Sequence, residues 1–164
     1  MSGARRALGL DPGTRKFGWG VVDRVGTRLV HVAHGIIAVK ETLPLWERLV
    51  LIEAGLVEVV TTHRPTEVSI ESLFFAKDAQ AAAKLGHARG VAMLVCARAG
   101  LDIAEYPPSR VKRSVSGSGR SDKAQVAQMM RIILNLAEVP KADGADALAC
   151  AVTHLQRAVF HRVG

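Results

Sequence analysis

The chain has 164 residues, 49% of them hydrophobic and 4% aromatic, and 22 basic against 15 acidic side chains give a formal net charge of +7. That length makes one domain with a buried core, spanning residues 1–164; the scarcity of rings argues against a single-strand binder that stacks bases on aromatics, and the excess of base favours a polyanionic partner. No run approaches the ~20 apolar residues of a membrane span, Asp11 interrupts any export signal behind Arg5 and Arg6, and Cys96 and Cys150 lack metal-site spacing, so a cytoplasmic protein with reduced thiols is expected.

The first stretch, Ala7 to Val22, reads ALGLDPGTRKFGWGVV. A short apolar strand delivers Asp11 into a Pro-Gly turn and the chain returns as a second strand. Small and large residues alternate there (Phe17, Gly18, Trp19, Gly20), leaving one face bare enough for something bulky to approach the backbone. A phosphate-binding site or a site that cuts a nucleic-acid backbone uses such a face; Asp-Pro-Gly can equally be a plain hairpin turn. Asp23 to Arg28 reads as a hairpin loop, and Leu29 to Val39 as a third strand. Leu45, Leu49, Ile52, Leu56, Val59 and Val60 recur at helical spacing between Leu43 and Thr62.

Glu67 to Ser72 is a fourth strand ending on Glu71, followed by a helix from Ala76 to Ala99 crowded with small residues, which permit close packing onto the sheet or onto a second copy. Leu101 to Tyr106 is a fifth strand. A basic helix from Ser109 to Val115 runs into the flexible loop Ser116 to Arg120, and helices Ser121 to Leu136 and Asp143 to Val159 complete the chain. Three antiparallel strands followed by strands separated by helices predict an α/β fold with a mixed five-stranded sheet, whose sites gather at strand ends.

Asp11 and Glu71 each end an apolar strand, and Asp143 and Asp146 stand three residues apart on one helical face. Asp143 can be read as a helix cap, with Asp146 an ordinary first-turn acid. Gathered together, however, four acids repel unless a cation neutralises them. A hard divalent ion such as Mg2+ suits oxygen ligands, and two ions ~4 Å apart can activate a water and stabilise the leaving oxygen of a phosphodiester.

The segments LGLDPGT, IESLFFAKDAQAAAKLG, ARGVA, VKRSVSGSGRSDKAQV and ADGADALACAVTH resemble, in order and spacing, RuvC-type Holliday junction resolvases, over residues 7 to 157. The resemblance implies an RNase H-like fold, a homodimer and symmetric Mg2+-dependent nicking of four-way DNA junctions in recombination and repair, with two ions per site and Mn2+ as a substitute metal. By position, the family's metal-binding catalytic acids fall on Asp11, Glu71, Asp143 and Asp146, and its junction-probing aromatic on Phe74, with Phe75 beside it. Lys112 and Lys123 match basic positions that meet the DNA backbone, and Arg110, Arg113 and Arg120 surround them. The loop between is expected to close over DNA.

Asp78 stands where the family has Asn, and Gly144 where Ala is usual. The RuvA and RuvB branch-migration proteins are partners by resemblance only. Two other readings stay open: a junction-binding protein without catalysis, and an actin-like phosphate-binding domain, although that architecture needs two such domains and this chain has room for one.

Overall fold

The computed structural model describes residues 4–73 and 78–157. Strand β1 (Arg5–Asp11), β2 (Lys16–Val25) and β3 (Arg28–Ala38) form the expected antiparallel meander; β4 (Glu67–Glu71) and β5 (Ile103–Tyr106) add to it in parallel, in the order β3-β2-β1-β4-β5. Helix α1 (Leu45–His63) links β3 to β4, and α2 (Ala79–Arg98) links β4 to β5. Helices α3 (Pro108–Ser116), α4 (Lys123–Ile133) and α5 (Ala142–Arg157) follow. The hairpin loop is shorter than predicted. Strands β2 and β3 pair as far as Val25 and Arg28, because Gly26 adopts φ +62° and closes the turn at once.

Alternation along the strands divides the core in two. Leu8, Leu10, Val21, Val68 and Ile70 bury one face of the sheet against Ile52 and Leu56 of α1 and Ala88 and Ala92 of α2. On the other face Ala7, Val22 and Tyr106 pack with α3, α4 and α5. Helix α5 is the centre of that layer, with ten of its 16 residues buried.

What approaches the bare glycine face is α5. A Cβ built on Gly9 would lie 1.9 Å from the Ala147 carbonyl oxygen, one on Gly18 2.1 Å from that of Asp143, and one on Gly20 2.7 Å from Leu148 Cδ2. The expectation of a surface open to substrate is thus corrected: the chain's own last helix fills it, because only a side-chain-free floor admits a helix backbone this close.

Three other boundaries have local causes. Asp78 accepts hydrogen bonds from the backbone N–H of Gln80 and Ala81 and so caps α2, a task that Asn performs equally well. The predicted helix start at Ala76 and end at Val159 lie outside the described residues. Helix α4 starts two residues later than expected, behind an Asp122–Gln125 capping box. It stops at Ile133, close before Asn135 with φ 51°.

The stretch expected to be a flexible loop is a laced turn. Gly117 ends α3 in the left-handed conformation, the Ser116 hydroxyl reaches the Lys112 carbonyl and Ser121, and Ser121 donates to the Ser118 carbonyl.

Candidate metal centre

Strands β1 and β4 run parallel with Leu10 opposite Ile70, so the next residues, Asp11 and Glu71, stand side by side at one end of the sheet. By strand parity both side chains leave the face that α5 covers. Gly18, the partner of Asp11 in the β1–β2 ladder, receives the carbonyl of Asp143, which seats the first turn of α5 against Asp11. Asp146 lies one turn further along the same helix. Asp143 stands within this first turn rather than capping it, since Ala145 N–H already bonds the Lys141 carbonyl. The four predicted acids are therefore brought to one place by a strand pairing and a glycine contact.

The charges sense one another. Burial, then the charges of Asp146 and Asp143, push the Asp11 carboxyl up to about 8. Burial and Asp146 raise Glu71, against Lys112 and Lys123; burial raises Asp146, against Lys123. Lys123 Nζ lies 3.5 Å from Asp146 Oδ2, and the Lys123 ammonium is correspondingly held above its ordinary range. Among the described residues no three His, Cys, Asp or Glu side chains close round one ion-sized point. Mutually repelling carboxylates stand apart instead, with Asp146 turned to Lys123. The donor set is all oxygen and carries excess negative charge at a partly buried spot, which fits a hard divalent cation.

The predicted basic residues divide. Lys112 on α3 and Lys123 at the start of α4 both act electrostatically on the acids. Arg110 instead lies over the Tyr106 ring, 5.7 Å from its centroid. Arg113 lies against the turn at Gly119, which also carries Arg120. Phe74 and Phe75 lie outside the described residues.

Sequence reasoning passed over Arg89. It is buried in the small-residue helix, donates from Nη1 to the Glu71 carbonyl at 3.1 Å and pairs through Nη2 with Glu105 Oε2 at 2.5 Å. A single cation between Ala88 and Gly90, on the helix face that also buries Ala92, was the available signal. A second polar chain runs from Tyr106 Oη to His154 Nδ1 (2.7 Å) and from His154 Nε2 to Glu67 (2.6 Å), which Arg5 also binds. Burial raises the Glu67 carboxyl, but Arg5 and His154 carry it below its ordinary value. As an ionised acceptor it orders the chain: His154 Nε2–H donates to Glu67, and the Tyr106 hydroxyl donates to Nδ1. This chain ties β5, and hence the start of α3, to β4 and α5.

Comparison with known proteins agrees with this geometry. The sequence model of the family described as crossover junction endodeoxyribonuclease RuvC matches residues 7–154. Proteins so named from Sorangium cellulosum and Afipia carboxidovorans are 56% and 52% identical, over 94% and 91% of this chain and 87% of each relative. The solved structure of Thermus thermophilus RuvC in complex with Holliday junction substrate superposes with a TM-score of 0.87 at 35% identity, covering 94% of both chains. The yeast mitochondrial Holliday junction resolvase Ydc2 shares the fold, with a TM-score of 0.68 at 12% identity, over 96% of this chain and 81% of that one.

Proposed function

The chain belongs to the RuvC family of crossover junction endodeoxyribonucleases, and we propose that it resolves four-way DNA junctions by metal-dependent hydrolysis at Asp11, Glu71, Asp143 and Asp146. The observation that carries this reading is the meeting of the two strand-end acids with the first turn of α5, beside two lysines. Two Mg2+ ions, or Mn2+ in their place, would be held by the four carboxylates and would supply an activated water and charge stabilisation at the leaving oxygen. Asp11, the most enclosed by the other three, would be the central metal ligand, Glu71 and Asp146 would complete the donor set, and Asp143 would orient a ligand or the attacking water. Lys112 and Lys123 hold the phosphodiester against this cluster, setting affinity rather than sequence choice.

The whole chain acts as one nuclease domain in the cytoplasm, as a homodimer whose two-fold axis matches the symmetry of the junction. The outer face of α2 supports that assembly: side chains added at Gly86 and Gly90 would meet nothing within 4 Å, and Leu94 is 47% exposed. Phe74 probes the junction centre, and RuvA and RuvB are the partners in branch migration.

The test is strand nicking of a synthetic four-way junction and a matched linear duplex, with Mg2+ and with chelator, by the native chain and Asp11→Asn. Symmetric nicks confined to the junction, lost with chelator and in the variant while junction binding persists, are expected. Tight junction binding without nicking under any metal would leave a structural junction binder in its place.

A further inference from the structure

Outside the acid cluster, the bonding geometry of two histidines on β3 is unused by the reaction. His31 and His34 are three residues apart, an odd separation that places strand neighbours on opposite faces. Here the β2–β3 register slips between Val21, which pairs with Ala33, and Val22, which pairs with His31, so that Val32 is an extra residue. The bulge turns both imidazoles to the α5 side. His31 Nε2 and His34 Nδ1 then lie 2.8 Å apart, with ring centroids at 5.0 Å and planes at 66°. They face a groove of about 1200 Å³ between β3 and residues 133–141, which brings Glu138 to its far wall.

We infer that His31 and His34 form a second metal site, specific for a late first-row divalent ion such as Zn2+ and separate from the catalytic acids. The two imidazole nitrogens already share a proton across 2.8 Å. Zinc–nitrogen bonds of ~2.0–2.1 Å at a tetrahedral angle need nitrogens about 3.3 Å apart, so the rings have to part by about half an ångström and each turn by roughly 35° to aim both lone pairs at one ion. Burial holds both imidazoles below their ordinary range, His31 with the help of His34, so they are free bases at neutral pH. Among the described residues no third His, Cys, Asp or Glu joins them round one point, so water would take the remaining positions, on the groove side.

The surroundings choose the ion. Arg28 and Lys141 also line the groove, so attraction between bare charges is weak there and affinity has to come from imidazole bonding. That favours Zn2+, Ni2+ or Cu2+ over Mg2+, the reverse of the acid cluster. The two sites are near neighbours: His34 Cδ2 lies 3.1 Å from where a Cβ on Gly144 would stand, and Gly144 sits between Asp143 and Asp146. The Gly in place of the usual Ala therefore leaves room for the His34 ring.

The site is tested by calorimetric titration of the full-length chain with Zn2+ in excess Mg2+, which occupies the acids without competing for imidazole. One Zn2+ per chain is expected, with affinity falling more than about tenfold in both His31→Ala and His34→Ala and unchanged in Asp146→Asn. Nitrogen-15 spectra of the native protein provide a readout free of any substitution: the ring nitrogens of both histidines should shift together on adding Zn2+. Equal Zn2+ affinity in the histidine variants, loss only in Asp146→Asn, or ring signals that do not move would overturn the proposal. None of these outcomes depends on junction cutting, so the site and the proposed nuclease reaction stand or fall separately.

Discussion

Asp11 keeps its proton to about pH 8 when no cation is bound, whereas an aspartate in an unfolded chain releases it near 4. Between those values the folded chain holds more protons than the unfolded one. Stability therefore falls as pH rises from about 4 to 8, and the contribution is fully present only on the acid side. In chelator, Asp11→Asn is expected to raise the melting temperature by several degrees at pH 8, on the order of 1–3 kcal/mol, and to change it little near pH 4. Mg2+ should stabilise the native chain and not the variant. Calorimetry in both buffers decides this; a variant less stable than the native protein at pH 8 would mean that Asp11 is held by attraction rather than crowding. Arg89 acts at the same scale. Arg89→Met removes the donor to the Glu71 carbonyl and should cost about 1–2 kcal/mol, lowering kcat more than it raises KM because Glu71 is no longer held in place.

Among the elements, α5 on its glycine floor sets the tolerance of the site. Gly9→Ala would drive a methyl to within 1.9 Å of the Ala147 carbonyl, and a destabilisation of about 3 kcal/mol or more is expected from denaturant unfolding, since backbone cannot repack round it. The five strands and five helices were legible in the sequence, because period-2 and period-3.6 patterns survive wherever one face is buried. The four acids were legible too, as strand ends and a helical i, i+3 pair. The purpose of Gly18 and Gly20 was not. A bare strand face signals close approach without saying by what, and the answer lay more than a hundred residues away in α5. Arg89 was hidden because an arginine in an alanine-rich helix reads as solvated until the fold buries it. His31 and His34 were hidden by parity, since one extra residue at Val32 reverses the face assignment and a bulge leaves no mark in hydropathy.

At the scale of the molecule, the charge is divided between a negative site and a positive surround. Neutralising Lys112 as Lys112→Ala should weaken binding to junction and duplex alike and reduce the slope of log affinity against log salt by about one, which fluorescence anisotropy at several salt concentrations measures. Assembly is tested separately: Gly90→Arg, on a face where nothing lies within 4 Å, is expected to give a folded monomer by light scattering that cuts the two strands of a junction independently. A dimer that survives this change would move the interface elsewhere, with the exposed Trp46 and Val50 of α1 the next surface to try. The burial of α5 also sets the timescale of the site. Beyond the first turn its amides, enclosed on the sheet by Gly9, Gly18 and Gly20, should exchange with deuterium only through global unfolding. Asp143 and Asp146 thus ride on an element that moves only when the whole chain unfolds, and the spacing between the acids is expected to stay constant for as long as the fold does.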